Sequence, residues 1–390
     1  MRLCVEVFFT FLKLGCISFG GPIAHIGYFE EEFVNRKKWL KPEEYLEFVS
    51  LCQFLPGPTS SQVGMLIGNS KTGFVGAILA WVGFTLPSAV FMTSFAIGVA
   101  SFSEILTKSF FHGFKLVAVV VVAQAVWQMG SKLCYEKKRI LICLISIVVL
   151  NFLLSPSAQL VVILLGGILG KILLSGEKQN SVNVDQFNFR MYRSLLLLTI
   201  FILLLILPSI IGKYYQSDVL KLFAGFYKSG ALVFGGGHVV LPLLKEEFVK
   251  IGFISEDFFL AGYGIAQSAP GPLFSIAGFL GASTTVFSNK ILCGIFCLAA
   301  IYLPSFLLIY ACLPIWKLLK NNSEAQSIFS GINSAVVGFL LSAFYDPIWR
   351  TTILDIKDFI IAVCLFSFLQ FWKIPVWIFV VFSPFLSLIL

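Results

Sequence analysis

The chain contains few charged residues for its length. Of its 390 residues only 12% are charged, whereas 58% are hydrophobic. A soluble domain carries roughly 25% charged residues, so this chain lacks the polar surface that a soluble fold needs. The shortage also excludes a disordered chain, a fibrous repeat and any sizeable domain outside the membrane. We therefore predict an all-α polytopic protein embedded in a lipid bilayer.

Other features that the sequence lacks exclude further classes of function. Its nine cysteines show no paired spacing, and thiols in apolar runs behave as small hydrophobic groups. The longest basic cluster, Lys137 to Arg139, is too short for nucleic-acid binding. The net charge of +8 comes from lysine and arginine residues that lie mostly in short gaps between apolar runs, where basic residues set the orientation of membrane spans. There is no nucleotide-binding loop. We expect no cofactor, no metal ion and no nucleic acid.

The apolar runs form an ordered series, in which a run of roughly 20 residues is long enough to cross a bilayer as a helix. We predict membrane segments over residues 5–21, 45–68, 74–100, 113–129, 140–154, 160–174, 195–211, 219–244, 258–282, 291–316, 326–344, 353–371 and 375–390. The most polar stretch, residues 175–193, separates two groups of runs. This division predicts a first repeat over residues 1–174, a polar linker with a linking span over residues 175–212, and a second repeat over residues 213–390.

The two groups of runs are copies of one sequence. Phe11, Lys13, Gly15, Phe19, Gly20 and Gly21 recur with identical spacing as Phe226, Lys228, Gly230, Phe234, Gly235 and Gly236. Gln53 and Pro56–Pro58 recur as Gln267 and Pro270–Pro272, and Leu86–Ser88 recurs as Leu303–Ser305. Chance similarity between apolar helices would align leucine and valine rather than lysine, glycine, proline and glutamine. The chain is therefore an internal duplication.

The relative orientation of the copies depends on whether the first segment of each copy crosses the membrane. If it does, an odd number of spans precedes the second copy, and the two copies are inverted. If both first segments are re-entrant, the copies are parallel. The distribution of lysine and arginine among the loops favours inverted copies.

Three cations lie inside predicted segments, namely Lys13, Lys115 and Lys228, whereas no carboxylate lies in the middle of a segment. An unpaired charge in hydrocarbon costs at least about 3 kcal/mol, so buried charges often mark a substrate path. A membrane interior that holds cations without a fixed anion partner indicates an anionic substrate. The alternative is that these side chains reach an interface along their aliphatic stems, above all Lys115 near a span end. The acidic stretches Glu30–Glu32 and Glu246–Glu247 are predicted loop charges.

Glycine and proline motifs supply the second part of the site. Phe19–Pro22 and Phe234–Gly237 should interrupt the first segment of each repeat, and Pro56–Pro58 and Pro270–Pro272 the second. Irregular backbone at membrane depth is tolerated only where it lines protein or a water-filled cavity. Broken helices offer free N–H groups and positive dipole ends to an oxyanion. Paired interruptions of this kind mark the midplane site of secondary transporters, and helix packing is the alternative explanation.

The candidate substrate-binding residues combine these lysines and breaks with nearby hydroxyl and amide side chains. They are Lys13, Ser18, Gly20, Gly21, Gln53, Pro56, Gly57, Pro58, Thr59, Ser60 and Gln62 in the first repeat, and Lys228, Gly235, Gly236, Gly237, Gln267, Pro270, Gly271 and Pro272 in the second. Leu273 and Phe274 replace Thr59 and Ser60 in the second repeat, so the half-sites are not equivalent. His25, His238 and Lys115 are candidates for a proton or gating role, with a structural polar contact as the alternative for the histidines.

At these motifs the chain resembles the chromate ion transporter family in its long, two-domain form. The resemblance is carried by Lys13–Pro22, Trp39-Leu40, Pro56–Pro58 with Gln62, Gly68, Lys228–Gly237 and Pro270–Pro272. It implies a multi-pass protein of the cytoplasmic membrane that exports chromate and thereby confers resistance, with sulfate as the structural analogue. Phe253 stands where the second copy would repeat Trp39, and Ala269 precedes the second Pro-Gly-Pro where family members often have a hydroxyl residue. Both departures bear on substrate preference.

We therefore expect a secondary transporter for a tetrahedral oxyanion, chromate or a sulfate-like ion, that works by alternating access, with a homodimer as a candidate assembly. One alternative is an exchanger for sulfate or another oxyanion, and another is a passive anion channel, because broken helices around lysines also suit a pore. A membrane-embedded enzyme would need a nucleophile and a base, and the motifs offer no such constellation. Proton coupling, movement driven by the membrane potential and exchange for another anion remain open.

Overall fold

The computed structural model describes residues 2–19, 21–99, 104–152, 158–174, 190–234, 239–249, 251–316, 322–376, 378–380 and 382. These residues form helices and the turns between them, with no strand among them. Five of the described helical stretches are long and apolar enough to cross a membrane. The prediction of an all-α polytopic membrane protein is therefore confirmed. Most of the predicted polar linker, residues 175–189, lies outside the described residues.

The helices of the first half follow the predicted order. Their bounds are α1 Arg2–Ile17, α2 Gly21–Phe29, α3 Pro42–Phe54, α4 Thr59–Val99, α5 Glu104–Leu133, α6 Lys137–Phe152, α7 Ala158–Leu173 and α8 Arg190–Tyr214. Helix α2 continues into a π-helical segment, Glu30–Arg36. The prediction that Glu30–Glu32 lies in a loop is therefore wrong, because the chain stays helical and Glu32 pairs with Arg36 one turn away at 3.0 Å.

The second half repeats this order. Its helices are α9 Asp218–Ala231, α10 Val240–Phe248, α11 Glu256–Ser268, α12 Ile276–Ser283, α13 Lys290–Cys312, α14 Ser323–Ala343 and α15 Ile356–Gln370. A 3-10 turn, Leu273–Ser275, directly precedes α12. The acidic pair Glu246–Glu247, predicted as loop, lies in α10. Both acidic stretches thus belong to helices that fold back onto the bundle.

Helix α4 reverses direction in its middle. The non-helical residues Thr72 and Gly73, with φ of 67° at the glycine, divide it into a first arm, residues 59–71, and a second arm, residues 74–99. A Cβ atom placed on Gly68 would lie 2.7 Å from the Cβ atom of Ala80, so the two arms pack against each other as a hairpin. In the second repeat α12 and α13 form the same hairpin, where a Cβ atom on Gly281 would lie 2.6 Å from the Cys297 sulfur.

A glycine in the first helix of each repeat allows a close helix contact. A Cβ atom on Gly15 of α1 would lie 2.6 Å from the Phe84 carbonyl oxygen in the second arm of α4. Its repeat equivalent, Gly230 of α9, lies in the same way against the Ile301 carbonyl of α13. Any larger side chain would separate these helices, so the repeated glycine sets how closely α1 and α9 pack against the hairpins.

The two repeats interlock in space. Helix α5 of the first repeat packs against α11 and α15 of the second, while α14, its counterpart, packs against α6 and α7 of the first. The linking helix α8 packs against α9 and α13. Because each repeat completes the packing of the other, the interface between them runs through the middle of the protein.

Candidate functional site

The two Pro-Gly-Pro turns cross at this interface. The backbone N–H of Gly57 donates a hydrogen bond to the Val233 carbonyl oxygen, which lies 2.7 Å away beyond the end of α9. The N–H of Gly271 donates to the Ser18 carbonyl oxygen, 2.9 Å away beyond the end of α1. Val233 is the repeat equivalent of Ser18. Each turn thus binds the helix end of the other repeat, and such reciprocal contacts define a pseudo-twofold axis.

Both turns require glycine at their centre. Gly57 has a φ of +124° and Gly271 a φ of +95°, which other residues rarely adopt. A Cβ atom on Gly57 would lie 2.8 Å from the Ser305 hydroxyl, and one on Gly271 would lie 3.0 Å from the Ser88 hydroxyl. Ser88 and Ser305 are themselves repeat equivalents. Each glycine therefore presses its backbone against a serine of the other repeat.

The predicted helix breaks are confirmed on either side of these turns. Helix α3 ends at Phe54 and α4 begins at Thr59, while α11 ends at Ser268 and the next helical turn begins at Leu273. The first bond of the α4 ladder runs from the Gln62 N–H to the Pro58 carbonyl at 2.9 Å. The N–H groups of residues 59–61 precede that ladder, so they form the positive end of the helix dipole.

His25 connects the parts of the crossing. Its side chain is 1% exposed, and its Nε2 atom lies 3.1 Å from the Ser18 carbonyl oxygen. Because a carbonyl can only accept, Nε2 carries the proton and donates. The Nδ1 atom lies 3.2 Å from the Ser60 hydroxyl, which donates to it in the neutral tautomer. His25 thus joins the end of α1 to the start of α4, which is the structural contact that the sequence offered as an alternative.

The three interior lysines do not meet at the crossing. Lys228 forms an ion pair with Glu247, and Lys115 pairs with Asp257 at 2.8 Å. The prediction that these two cations lack a fixed anion partner is therefore wrong, because α10 and α11 bring acidic residues back onto the bundle. Lys13 is exposed on α1 and has no hydrogen bond or ion pair among the described residues.

The remaining candidates are distributed around the turns. Gln62 is fully buried and donates from Nε2 to the Pro56 carbonyl oxygen at 2.7 Å. Gly21, with a φ of +77°, begins α2, whereas Gln53 is exposed and Gln267 is half-buried on α11. Pro58, Ser18 and Pro272 are buried, and Thr59 and Pro270 are half-buried. Gly20, Gly235, Gly236, Gly237 and His238 lie outside the described residues.

A set of buried hydroxyl groups lies beside the crossing, and two of its members, Thr85 and Tyr302, were not singled out in the sequence. Ser61, Thr85, Ser275 and Tyr302 are each at most 4% exposed, and their hydroxyl groups have no hydrogen-bond partner among the described residues. Ser61 and Ser275 are repeat equivalents, and so are Thr85 and Tyr302. The available signal was position: Thr85 and Tyr302 each lie two residues before the proline of the repeated Leu-Pro-Ser motif.

The fold and the crossing define a class of protein: a duplicated polytopic membrane protein whose paired broken helices meet at the repeat interface. The chain belongs to the chromate transporter family, whose model matches residues 5–171 and 220–388. The resemblance noted in the sequence is thereby confirmed.

Several relatives match nearly the whole chain. An uncharacterized transporter of Methanocaldococcus jannaschii is 28% identical over 87% of this chain and 83% of its own length. A probable chromate transport protein of Synechococcus elongatus is 26% identical over 93% of this chain and 88% of its own. A chromate transport protein of Pseudomonas aeruginosa is 23% identical over 94% and 87%. No solved structure matches the chain.

Proposed function

We propose that this protein is a secondary transporter that exports chromate, a tetrahedral oxyanion, across the cytoplasmic membrane and thereby confers chromate resistance. The observation that carries the proposal is the reciprocal crossing of Pro56–Pro58 and Pro270–Pro272 at the repeat interface. Broken helices that meet between repeats are the usual substrate site of secondary transporters. Two of the relatives are named for chromate transport, which supports the substrate.

The transport cycle in this proposal is alternating access. The two repeats, inverted with respect to the membrane, rock about the pseudo-twofold axis and expose the crossing to one side at a time. The bonds from Gly57 to Val233 and from Gly271 to Ser18 join the repeats at the crossing, so they serve as the pivot. An axis through the crossing supports this cycle, because repeats related in this way can exchange conformations.

The proposed site residues act on the oxyanion in two ways. The backbone amides of Gly20-Gly21 and Gly235–Gly237 and the side chains around the turns donate hydrogen bonds. The Pro-Gly-Pro turns shape the site, because the one N–H of each turn already bonds to the other repeat. Lys13 and Lys228 supply positive potential along the route, because a dianion in a low-dielectric interior needs countercharge. Lys228 is held by Glu247 in this structure, so the substrate would take the place of that carboxylate during passage.

The first experiment is chromate uptake into everted membrane vesicles that contain the protein, with an imposed gradient and excess sulfate as competitor. We expect energised, saturable accumulation that sulfate suppresses only in part. Vesicles without the protein are the control. Accumulation of sulfate with chromate as a weak competitor would instead indicate a sulfate exchanger, and flux that does not saturate and only dissipates a gradient would indicate a channel.

A further inference from the structure

We propose that the oxyanion is held directly by uncharged donors, the side chains of Ser61, Trp81, Thr85 and Tyr302, here called the hydroxyl–indole cluster. This inference rests on the proposed function and assigns the contact residues of the same site. The chemical class of its ligand is a tetrahedral oxyanion whose oxygens accept hydrogen bonds. Lys13 and Lys228 then act on the ion along its route, and not at the place where it is held.

The cluster draws its members from three helical segments of both repeats. Tyr302 of α13 lies beside Ser61, at the start of the first arm of α4, and beside Thr85, in its second arm. Trp81 lies one helical turn before Thr85, and its ring centroid is 5.5 Å from that of Tyr302. These side chains therefore converge on one place at the interface between the repeats.

The polar atoms of the cluster are buried and unsatisfied. Tyr302 is 0% exposed, Ser61 2% and Thr85 4%. The Tyr302 hydroxyl faces those of Ser61 and Thr85, but none of these groups, nor the Trp81 indole N–H, makes a hydrogen bond of regular distance and angle among the described residues. A buried polar group without a partner costs about 1–3 kcal/mol, and native proteins keep few of them. Several in one place indicate a ligand that satisfies them together.

The donor chemistry indicates an acceptor ligand. The indole N–H of Trp81 can only donate, and the hydroxyl groups of Ser61, Thr85 and Tyr302 can each donate one hydrogen bond. Ser61 also lies in the first turn of α4, where the helix dipole is positive. No charged side chain among the described residues bonds to the cluster. An oxyanion fits this environment, whereas a metal cation would be repelled by the indole N–H and the helix end.

The symmetry of the cluster matches a tetrahedral ion. Thr85 and Tyr302 are repeat equivalents and lie beside each other, so the pseudo-twofold axis passes between them. Ser275, the equivalent of Ser61, also has an unpartnered hydroxyl, and the 3-10 turn that carries it contacts both α4 and α13. A tetrahedral oxyanion has twofold axes of its own, so donors from the two repeats can each bind one pair of its oxygens.

The test measures the concentration dependence of chromate uptake in everted vesicles for Tyr302→Phe and Thr85→Val, which remove a hydroxyl and keep the shape. We expect each variant to raise the apparent KM roughly tenfold or more, with a smaller change in the maximal rate, because a bond to a charged ligand is lost. The matched controls are Tyr227→Phe and Thr199→Val. The hydroxyls of these residues lie away from the crossing and donate to backbone carbonyl oxygens, at distances of 3.1 Å and 2.9 Å. Both should leave KM unchanged.

A binding measurement on purified protein in detergent keeps the inference testable if a variant transports poorly. Potassium chromate and potassium sulfate should raise the melting temperature of the wild type, and these shifts should be absent in Tyr302→Phe and Thr85→Val. If the melting temperature depends on whether the cation is potassium or sodium, and not on the anion, the cluster is a cation site and the inference is overturned. If both variants take up chromate as the wild type does, with an unchanged KM, only this inference is overturned. If the wild type neither binds nor transports an oxyanion, the proposed function is overturned as well.

Discussion

The two repeats carry the same lysine and glutamate at equivalent positions but pair them differently. In the second repeat Lys228 pairs with Glu247. In the first, Glu32 pairs with Arg36 at 3.0 Å, and Lys13 is exposed. The neighbouring residues differ too, because Arg36 stands four residues after Glu32, whereas Ile251 stands four residues after Glu247. A duplicated motif therefore keeps its geometry while its electrostatics depend on residues outside the motif.

The packing of the first helix adds to this contrast. A Cβ atom on Gly225 of α9 would lie 2.8 Å from the Phe248 ring and 3.3 Å from the Glu247 Cβ atom. That glycine lets α10 approach α9 closely and brings Glu247 to Lys228. The first repeat has Thr10 at the equivalent position, where a side chain stands in place of the glycine hydrogen.

The repeats also differ where the helix restarts after the turn. In the first repeat Thr59, Ser60 and Ser61 begin α4 with polar side chains, whereas in the second Leu273 and Phe274 begin a 3-10 turn. The Phe274 ring packs against Tyr302 with a centroid distance of 5.8 Å. The first repeat thus contributes most donors to the crossing, and the second contributes an apolar wall together with the hydroxyl groups of Tyr302 and Ser275.

Substitution of the turn glycines should have the largest effect and tests what the repeats share. We expect Gly57→Ala to abolish chromate uptake, because the positive φ costs about 1–3 kcal/mol and the new Cβ atom would meet Ser305 at 2.8 Å. Gly271→Ala should be almost as damaging, since its closest contact is 3.0 Å. Vesicle uptake and melting temperature measure both. Gly27→Ala, which meets nothing within 4 Å, is the control, and wild-type uptake in Gly57→Ala would contradict a pivot at the crossing.

The lysines should differ in their effect on stability. Lys228→Ala leaves Glu247 half-buried without its partner and should cost about 3 kcal/mol, measured by thermal unfolding in detergent. Lys13→Ala should leave the melting temperature unchanged, because the side chain is exposed. Both variants should insert into the membrane and lose chromate transport if they provide countercharge. Retained transport in both would exclude that role.

The Lys228 result has an internal control. In Lys228→Ala/Glu247→Gln the unpaired carboxylate is gone, so most of the lost stability should return while transport stays impaired. Recovery of transport together with stability would show that Lys228 matters only for folding. Lys132→Ala, at an exposed position near the end of α5, should change neither quantity.

The helix breaks were predictable from the sequence because proline and glycine act on the backbone at their own positions. Pro56–Pro58 and Pro270–Pro272 separate helices as expected. The partners of those turns were not predictable, since the bonds from Gly57 to Val233 and from Gly271 to Ser18 depend on how the repeats interlock. Local signals specify where a helix ends, but not which distant segment of the chain that helix end contacts.

The same limit applies to the side chains of the site. The lysines stood out because charge is rare in an apolar run, yet the carboxylate that pairs with Lys228 is on α10, and its sequence context resembles a loop. Thr85 and Tyr302 did not stand out, because the two residues differ in type although their positions are equivalent. Their significance comes from burial without a partner, which only the packed structure reveals.

The smallest expected effect comes from making the first repeat resemble the second. In Arg36→Ile, Glu32 loses Arg36 as its partner. Because Lys228 pairs with Glu247 in the second repeat, we expect Lys13 to pair with Glu32 in place of Arg36. We expect the free energy of unfolding to change by at most about 0.5 kcal/mol, because the buried Glu32 carboxylate exchanges one partner on an exposed side chain for another.

A double-mutant cycle between Lys13→Ala and Glu32→Gln measures this exchange. The coupling free energy should be near zero in the wild type, where Glu32 contacts Arg36, and about 0.5 kcal/mol in the Arg36→Ile background. A larger loss of stability in Arg36→Ile without any coupling would mean that Lys13 cannot reach Glu32. In that case Gly225 and the close approach of α10, rather than the absence of a competing arginine, would account for the pairing of Lys228.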